Sequence, residues 1–178
     1  MPARPLRSVA LLLALSGLAC GFLSDKVSEK VSEEVAEKAT EAAIEHDQGG
    51  DANVNLQNGN VSIKTDQGSF TVQNGAKLPD GFPSDVPLYP GAAVQSSAGS
   101  TTAEGQGFLI TATSTDAPDK VIAFYKEKLA GTFQSKADMN MNGQLMLIYQ
   151  TADEKRSVSI SVNPEGTGSQ LTLTTANK

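Results

Sequence analysis

The chain has 178 residues, with 14 Lys and Arg against 20 Asp and Glu, a formal charge of −6. That balance gives no support to a general nucleic-acid-binding surface, and the length allows one or two small domains. One His, one Cys and no Trp leave few reacting groups. A His/Cys metal site lacks ligands, so no metal, cofactor or catalytic residue is expected and composition leans against an enzyme.

Residues 1–19 read as a lipoprotein signal peptide. Arg4 and Arg7 precede the apolar run Val9 to Leu15, which continues through Leu18 and Ala19 and is shorter than the roughly 20 residues a membrane span needs. Ser16-Gly17-Leu18-Ala19-Cys20 resembles a bacterial lipobox, although Gly17 stands where Leu is commoner. The resemblance implies acylation of the Cys20 thiol, palmitate included, and a lipid bilayer as the first partner. An ordinary secretory peptide with an unrelated Cys, or an uncleaved anchor, is the alternative. A lone Cys forms no internal disulfide.

Residues 20–47 carry this Cys and a helical tether. From Asp25 the text falls into tetrads, DKVS, EKVS, EEVA, EKAT and EAAI, with Glu29, Glu33, Glu37, Glu41 and Glu45 in one row and Val27, Val31, Val35, Ala39 and Ala43 in another. Good helix formers without Gly or Pro between Ser24 and Glu45 predict a helix. A period of four drifts about 40 degrees per repeat on a 3.6-residue helix, so the stripe winds and a coiled coil is disfavoured. A solvated spacer is the leading expectation; self-association through the Val/Ala row and docking on the chain's own globular part are the others. His46 beside Asp47 reads as a cap or surface residue.

Residues 48–76 switch to alternation, with Val54 and Leu56, Val61 and Ile63, Phe70 and Val72 punctuated by Asn58-Gly59 and Gln67-Gly68. This predicts a short polar β-meander, too thin to stand alone. Its Asn and Asp residues do not follow the spacing of a calcium loop. Residues 77–91 contain four prolines interspersed with Phe82, Val86, Leu88 and Tyr89, as expected of a strap lying against a core.

Residues 92–178 form the globular part. Strands are expected at Ala92 to Ala98, Gly105 to Ser114, Thr132 to Asp138, Gln144 to Thr151, Ser157 to Asn163 and Gln170 to Thr175. One helix starts at Asp116-Ala117-Pro118-Asp119, with Asp116 or Ala117 as its cap, carries Val121, Phe124, Tyr125 and Leu129, and stops at Gly131. A longer turn is expected over Pro164 to Gly168. Val158, Ile160 and Val162 alternate with Ser157, Ser159 and Ser161, and Leu171 and Leu173 with Thr172 and Thr174, predicting one dry and one hydroxyl-coated face. The fold class is α+β: an antiparallel sheet covered by one helix (ββαββββ, helix-grip-like), preceded by a long N-terminal helix and the meander.

Leu145 to Tyr149 are apolar on both faces, as for a central strand covered once by the helix and once by the strap or meander. Met139, Met141, Met146 and Ile148 are the candidate surface for an apolar ligand or a partner, with hairpin-end packing as the plainer reading. Pro87-Leu88-Tyr89-Pro90-Gly91-Ala92, a following strand, Thr115-Asp116-Ala117-Pro118-Asp119 and Phe124-Tyr125 with Leu129 resemble a recurrent domain of uncharacterised bacterial envelope lipoproteins, over most of residues 20–175. Ala117 departs from the small capping residue expected before Pro118. The resemblance implies no catalytic motif; it implies a helix on an antiparallel sheet and a place in the bacterial cell envelope, while Gly21 and Phe22, with no Asp at the second mature position, favour the periplasmic face of the outer membrane in a two-membrane host. Expected function is a membrane-anchored, non-enzymatic binding or structural module with an envelope protein partner. A carrier or sensor of a small apolar ligand or lipid is the alternative, an enzyme the remote one; oligomeric state is open.

Overall fold

The computed structural model describes residues 26–48, 51–57, 59–75 and 77–178, with side chains described from residue 34 on apart from 46–48. Helix α1 (Lys26–Gln48) leads into strands β1 (Ala52–Gln57), β2 (Asn60–Thr65) and β3 (Gly68–Asn74). A strap over residues 77–92 then precedes β4 (Ala93–Thr102), β5 (Gly105–Ser114), helix α2 (Pro118–Leu129), β6 (Gln134–Met141), β7 (Gln144–Gln150), β8 (Arg156–Glu165) and β9 (Gly168–Asn177). The chain is therefore α+β, with the N-terminal helix, the meander and a helix-covered, helix-grip-like sheet.

The nine strands of the described residues join one antiparallel sheet in the order β1-β2-β3-β4-β5-β9-β8-β7-β6. Period-two patterning sorts its faces. Val158, Ile160 and Val162 of β8 and Leu171 and Leu173 of β9 turn inward and are fully buried, with Ile110 and Ala112 of β5 and Leu147 of β7 beside them. Onto this face α2 lays Val121, Tyr125 and Leu129, all without solvent exposure. At about 25 cal/mol per Å² of apolar surface removed from water, this layer is the main source of stability. Phe124 sits at its margin, half-buried, edge-on to Tyr89 and Tyr125 at 5.2 Å from each.

The strap covers the same face. Its backbone closes three successive turns, with the amides of Phe82, Val86 and Ala92 donating to the carbonyls of Pro79, Pro83 and Tyr89. Those turns satisfy donors that the prolines leave without a ladder. Val86 and Tyr89 are buried in the core, and Phe82 meets Phe108 edge-on at 5.7 Å. Tyr89 is held at both ends: its amide donates to the buried Tyr125 hydroxyl, and its own hydroxyl donates to Asp116 Oδ2 at 2.7 Å. Burial pushes the Tyr125 hydroxyl well above the usual tyrosine range, which keeps it neutral as an acceptor.

Several expectations are corrected. The strap does not cover the outer face of β7, because it shares the inner face with α2, and the meander does not cover it either, because it extends the sheet edge-on through β3 and β4. Helix α1 packs on β1 instead of standing as a free rod; among its described side chains Glu37, Thr40, Glu41 and Ile44 are half-buried, while Val35, Ala39 and Ala43 face solvent. Asp116 does not cap α2. Ala117 is the N-cap without a side-chain bond, and Asp116 is drawn aside by Tyr89 and by Lys120 Nζ at 2.8 Å. The turn after Pro164 is tight, since Pro164 pairs with Ser169 and Glu165 with Gly168.

The expectation of a membrane lipoprotein with signal and palmitate is also corrected. No helix among the described residues is long and apolar enough to cross a membrane, and the described strands form an open, two-edged sheet with a hydroxyl-bearing face. The leader, the lipobox and Cys20 lie outside the described residues.

Candidate functional site

The outer face of the sheet can be built row by row from strand register. Opposed residues of an antiparallel pair point to the same side, so a chain of partners draws a line across the face. One such line runs Leu56, Val61, Val72, Ala98, Leu109, Thr174, Ser159, Ile148 and Ala137, one residue from each of the nine strands. It is apolar toward both edges and hydroxyl-bearing in the middle. The neighbouring line repeats the theme, with Ser96, Thr111, Thr172, Ser161, Met146 and Met139 from β4 to β6.

Met139, Met141, Met146 and Ile148 do come together. Met139 opposes Met146 and Met141 opposes Gln144, and alternation places Ile148 on the same side, away from Leu147 and Tyr149 in the core. Met141 is half exposed, and Met146 and Ile148 are half-buried by their strand neighbours. These side chains form a shallow patch at the β6–β7 end.

A larger concavity lies on the opposite wing. Phe70 and Val72 of β3, Ala98 and Ser100 of β4, Leu109 of β5 and Thr174 of β9 line an open groove of about 510 Å³. Leu109 is 43% exposed and Phe70 42%. A bulge between Val94 and Ser96 shifts the register of β4, so that Val94 packs inward while Ser96 and Ala98 face the groove. None of the lining residues is ionisable, which leaves the groove without an acid, a base or a nucleophile-base pair. Sequence reasoning missed this groove. Its signal was the run Phe108-Leu109-Ile110, which cannot place all three side chains inward on a strand.

The space between α2 and the sheet, by contrast, is filled: Tyr125, Leu129, Ile110, Leu147, Ile160 and Leu173 occupy it with at most 1% exposure. The small cavity beside the strap, about 10 Å³ between Pro83, Phe108, Arg156 and Thr175, has room for about one water. Thr175 Oγ1 is buried without a protein partner. Among the described residues no group of three or more His, Cys, Asp and Glu is placed to hold a metal ion.

Residues 94–170 match a family model described as START domain-like. The match runs from β4 through α2 to the first residues of β9 and takes in less than half of the chain. The segment is thus similar to a START-like domain, and α1, the meander and the strap lie outside the similarity. No curated protein and no solved structure matches the chain.

Proposed function

We propose that the protein is a non-enzymatic binding module that carries or senses a small apolar ligand or a lipid on the open face of its sheet. The observation that carries this is the 510 Å³ groove over Phe70, Val72, Ala98 and Leu109, apolar and free of ionisable groups on a face that neither α2 nor the strap covers. A groove of that volume is within the range of small-molecule sites. Similarity of residues 94–170 to a START-like domain supports a binding role of this chemical class. Because the interior between helix and sheet is packed with side chains, the ligand lies outside, against the strands. The Thr174 and Ser159 hydroxyls beside the apolar wing suit an amphiphile whose chain lies along β3 to β5 and whose polar end reaches the centre of the sheet.

A fluorescent long-chain fatty acid titrated into the purified protein tests this, with native mass spectrometry for stoichiometry. Wild type binds one probe per chain; Leu109→Asp, which puts a charge in the groove, loses at least tenfold in affinity, and Met146→Asp, on the far wing, keeps it. Absence of probe binding, or equal binding by Leu109→Asp, would sink the assignment. Loss with Met146→Asp alone would move the site to the methionine patch.

A further inference from the structure

The acidic tetrads of α1 meet the sheet at its β1 edge in matched steps. The amides of Ala52, Val54 and Leu56 donate to the carboxylates of Glu45, Glu41 and Glu37, at 3.3 Å for the first and 2.8 Å for the second. Four helix residues advance about 6.0 Å and two strand residues about 6.8 Å, so one glutamate per tetrad tracks every outward-facing amide of a strand running the opposite way. These are the donors that would otherwise recruit another strand. Among the described side chains of α1, Glu37, Glu41, Thr40 and Ile44 are half-buried, and Val54 of β1 is buried.

We propose that α1 is a detachable cap on a self-pairing edge, and that the occupant of the uncapped edge is β1 of a second copy of this chain. β1 is self-complementary about Val54. Antiparallel pairing with Val54 opposite Val54 places Asn53 against Asn55 and Ala52 against Leu56, apolar on one face and amide on the other, and uses the same outward amides that the glutamates now occupy. Such pairing is two-fold and closed, joining two nine-stranded sheets edge to edge without leaving a new edge at the contact. The far edge, β6, carries Lys136 and Asp138 and a register shift between Ser135 and Ala137, features that blunt strand addition there. The four-residue spacing of Glu37, Glu41 and Glu45 matches the two-residue period of the strand they cover.

The test uses the full chain, wild type beside a Glu37→Ala/Glu41→Ala/Glu45→Ala variant, with alanine retaining helix propensity. Light scattering across a concentration series reads the mass, and amide exchange reads Ala52, Val54 and Leu56. The alanine variant doubles in mass with concentration, and Val54→Pro added to it restores the wild-type mass by deleting the central outward donor. The matching triple Gln variant, which keeps the acceptor oxygens, stays at the wild-type mass. Where circular dichroism shows the Val54→Pro chain unfolded, Ala52→Pro at the first strand position serves instead. An alanine variant that keeps the wild-type mass, a doubling that neither proline reverses, or a wild type already doubled through β1 would each overturn the proposal.

Discussion

Gly168 begins β9 so close to the end of β5 that a Cβ there would stand 2.1 Å from the Ser114 carbonyl oxygen, and Gly105 meets the Asn177 carbonyl in the same way at 1.9 Å. Backbone, not a flexible side chain, is the obstacle at both. Gly168→Ala should therefore cost about 1–3 kcal/mol through forced backbone movement. Gly131, with nothing within 4 Å, should accept Ala within about 0.5 kcal/mol. Urea midpoints of the two variants decide it, and equal values would refute the close-approach argument. A second residue-scale expectation concerns the faces. Ile160→Ala opens a cavity under α2 and should cost about 2–5 kcal/mol, whereas Ser159→Ala on the outer face should change stability by no more than about 0.5 kcal/mol. Denaturant titration compares them directly. Alternation made this pair legible beforehand, because the Val158-Ser159-Ile160-Ser161-Val162 pattern admits only one assignment of sides.

Among the elements, the strap shows how a proline-rich segment is fastened when it has no ladder. Arg156 grips Asp85 with two bonds of 2.7 Å while its guanidinium lies 5.2 Å from the centre of the Phe133 ring, joining strap, β8 and the segment after α2. The bonds from Arg156 hold the Asp85 carboxyl below the usual carboxylate range, against the opposing effect of its partial burial. Lys120, then Tyr89, hold Asp116 low as well. A carboxyl depressed in the folded state contributes stability that is fully present above the unfolded value of about 3.9 and is lost as pH falls through the folded one. The denaturant midpoint should therefore drop as pH falls below about 4. Asp85→Asn should lower the neutral midpoint modestly, the pair being partly exposed, and flatten part of the acid slope. Asp116 retains the remainder. A variant with an unchanged slope would show that the Asp85 bond forms equally in the unfolded chain. The prolines announced the strap and its buried side chains; the face it chose was hidden, since Asp85 and Arg156 are 71 residues apart and neither has local meaning without the other.

At the scale of the molecule, one nine-stranded sheet carries two different surfaces. The inner one is closed by α2 and the strap into a packed core, and the outer one is left open from the Phe70 wing to the methionine patch. The element types, the helix-covered sheet and its hydroxyl face follow from local information: period-two and helical patterning, Pro118 at the helix start, and turn residues between strands. Met139, Met141, Met146 and Ile148 could be grouped for the same reason, since they belong to one hairpin. The tertiary structure alone decided which surfaces remain free. Whether the meander stacks on the sheet or extends it depends on β3 pairing with β4, across the whole strap. Whether α1 stands free depends on glutamates reaching amides 7 to 19 residues away. The groove exists because Phe70, Ala98 and Leu109 meet through pairings of distant strands. A sequence pattern states which side of its own strand or helix a residue occupies. What covers that side is set by the summed energy of nonlocal contacts, and no single segment contains it.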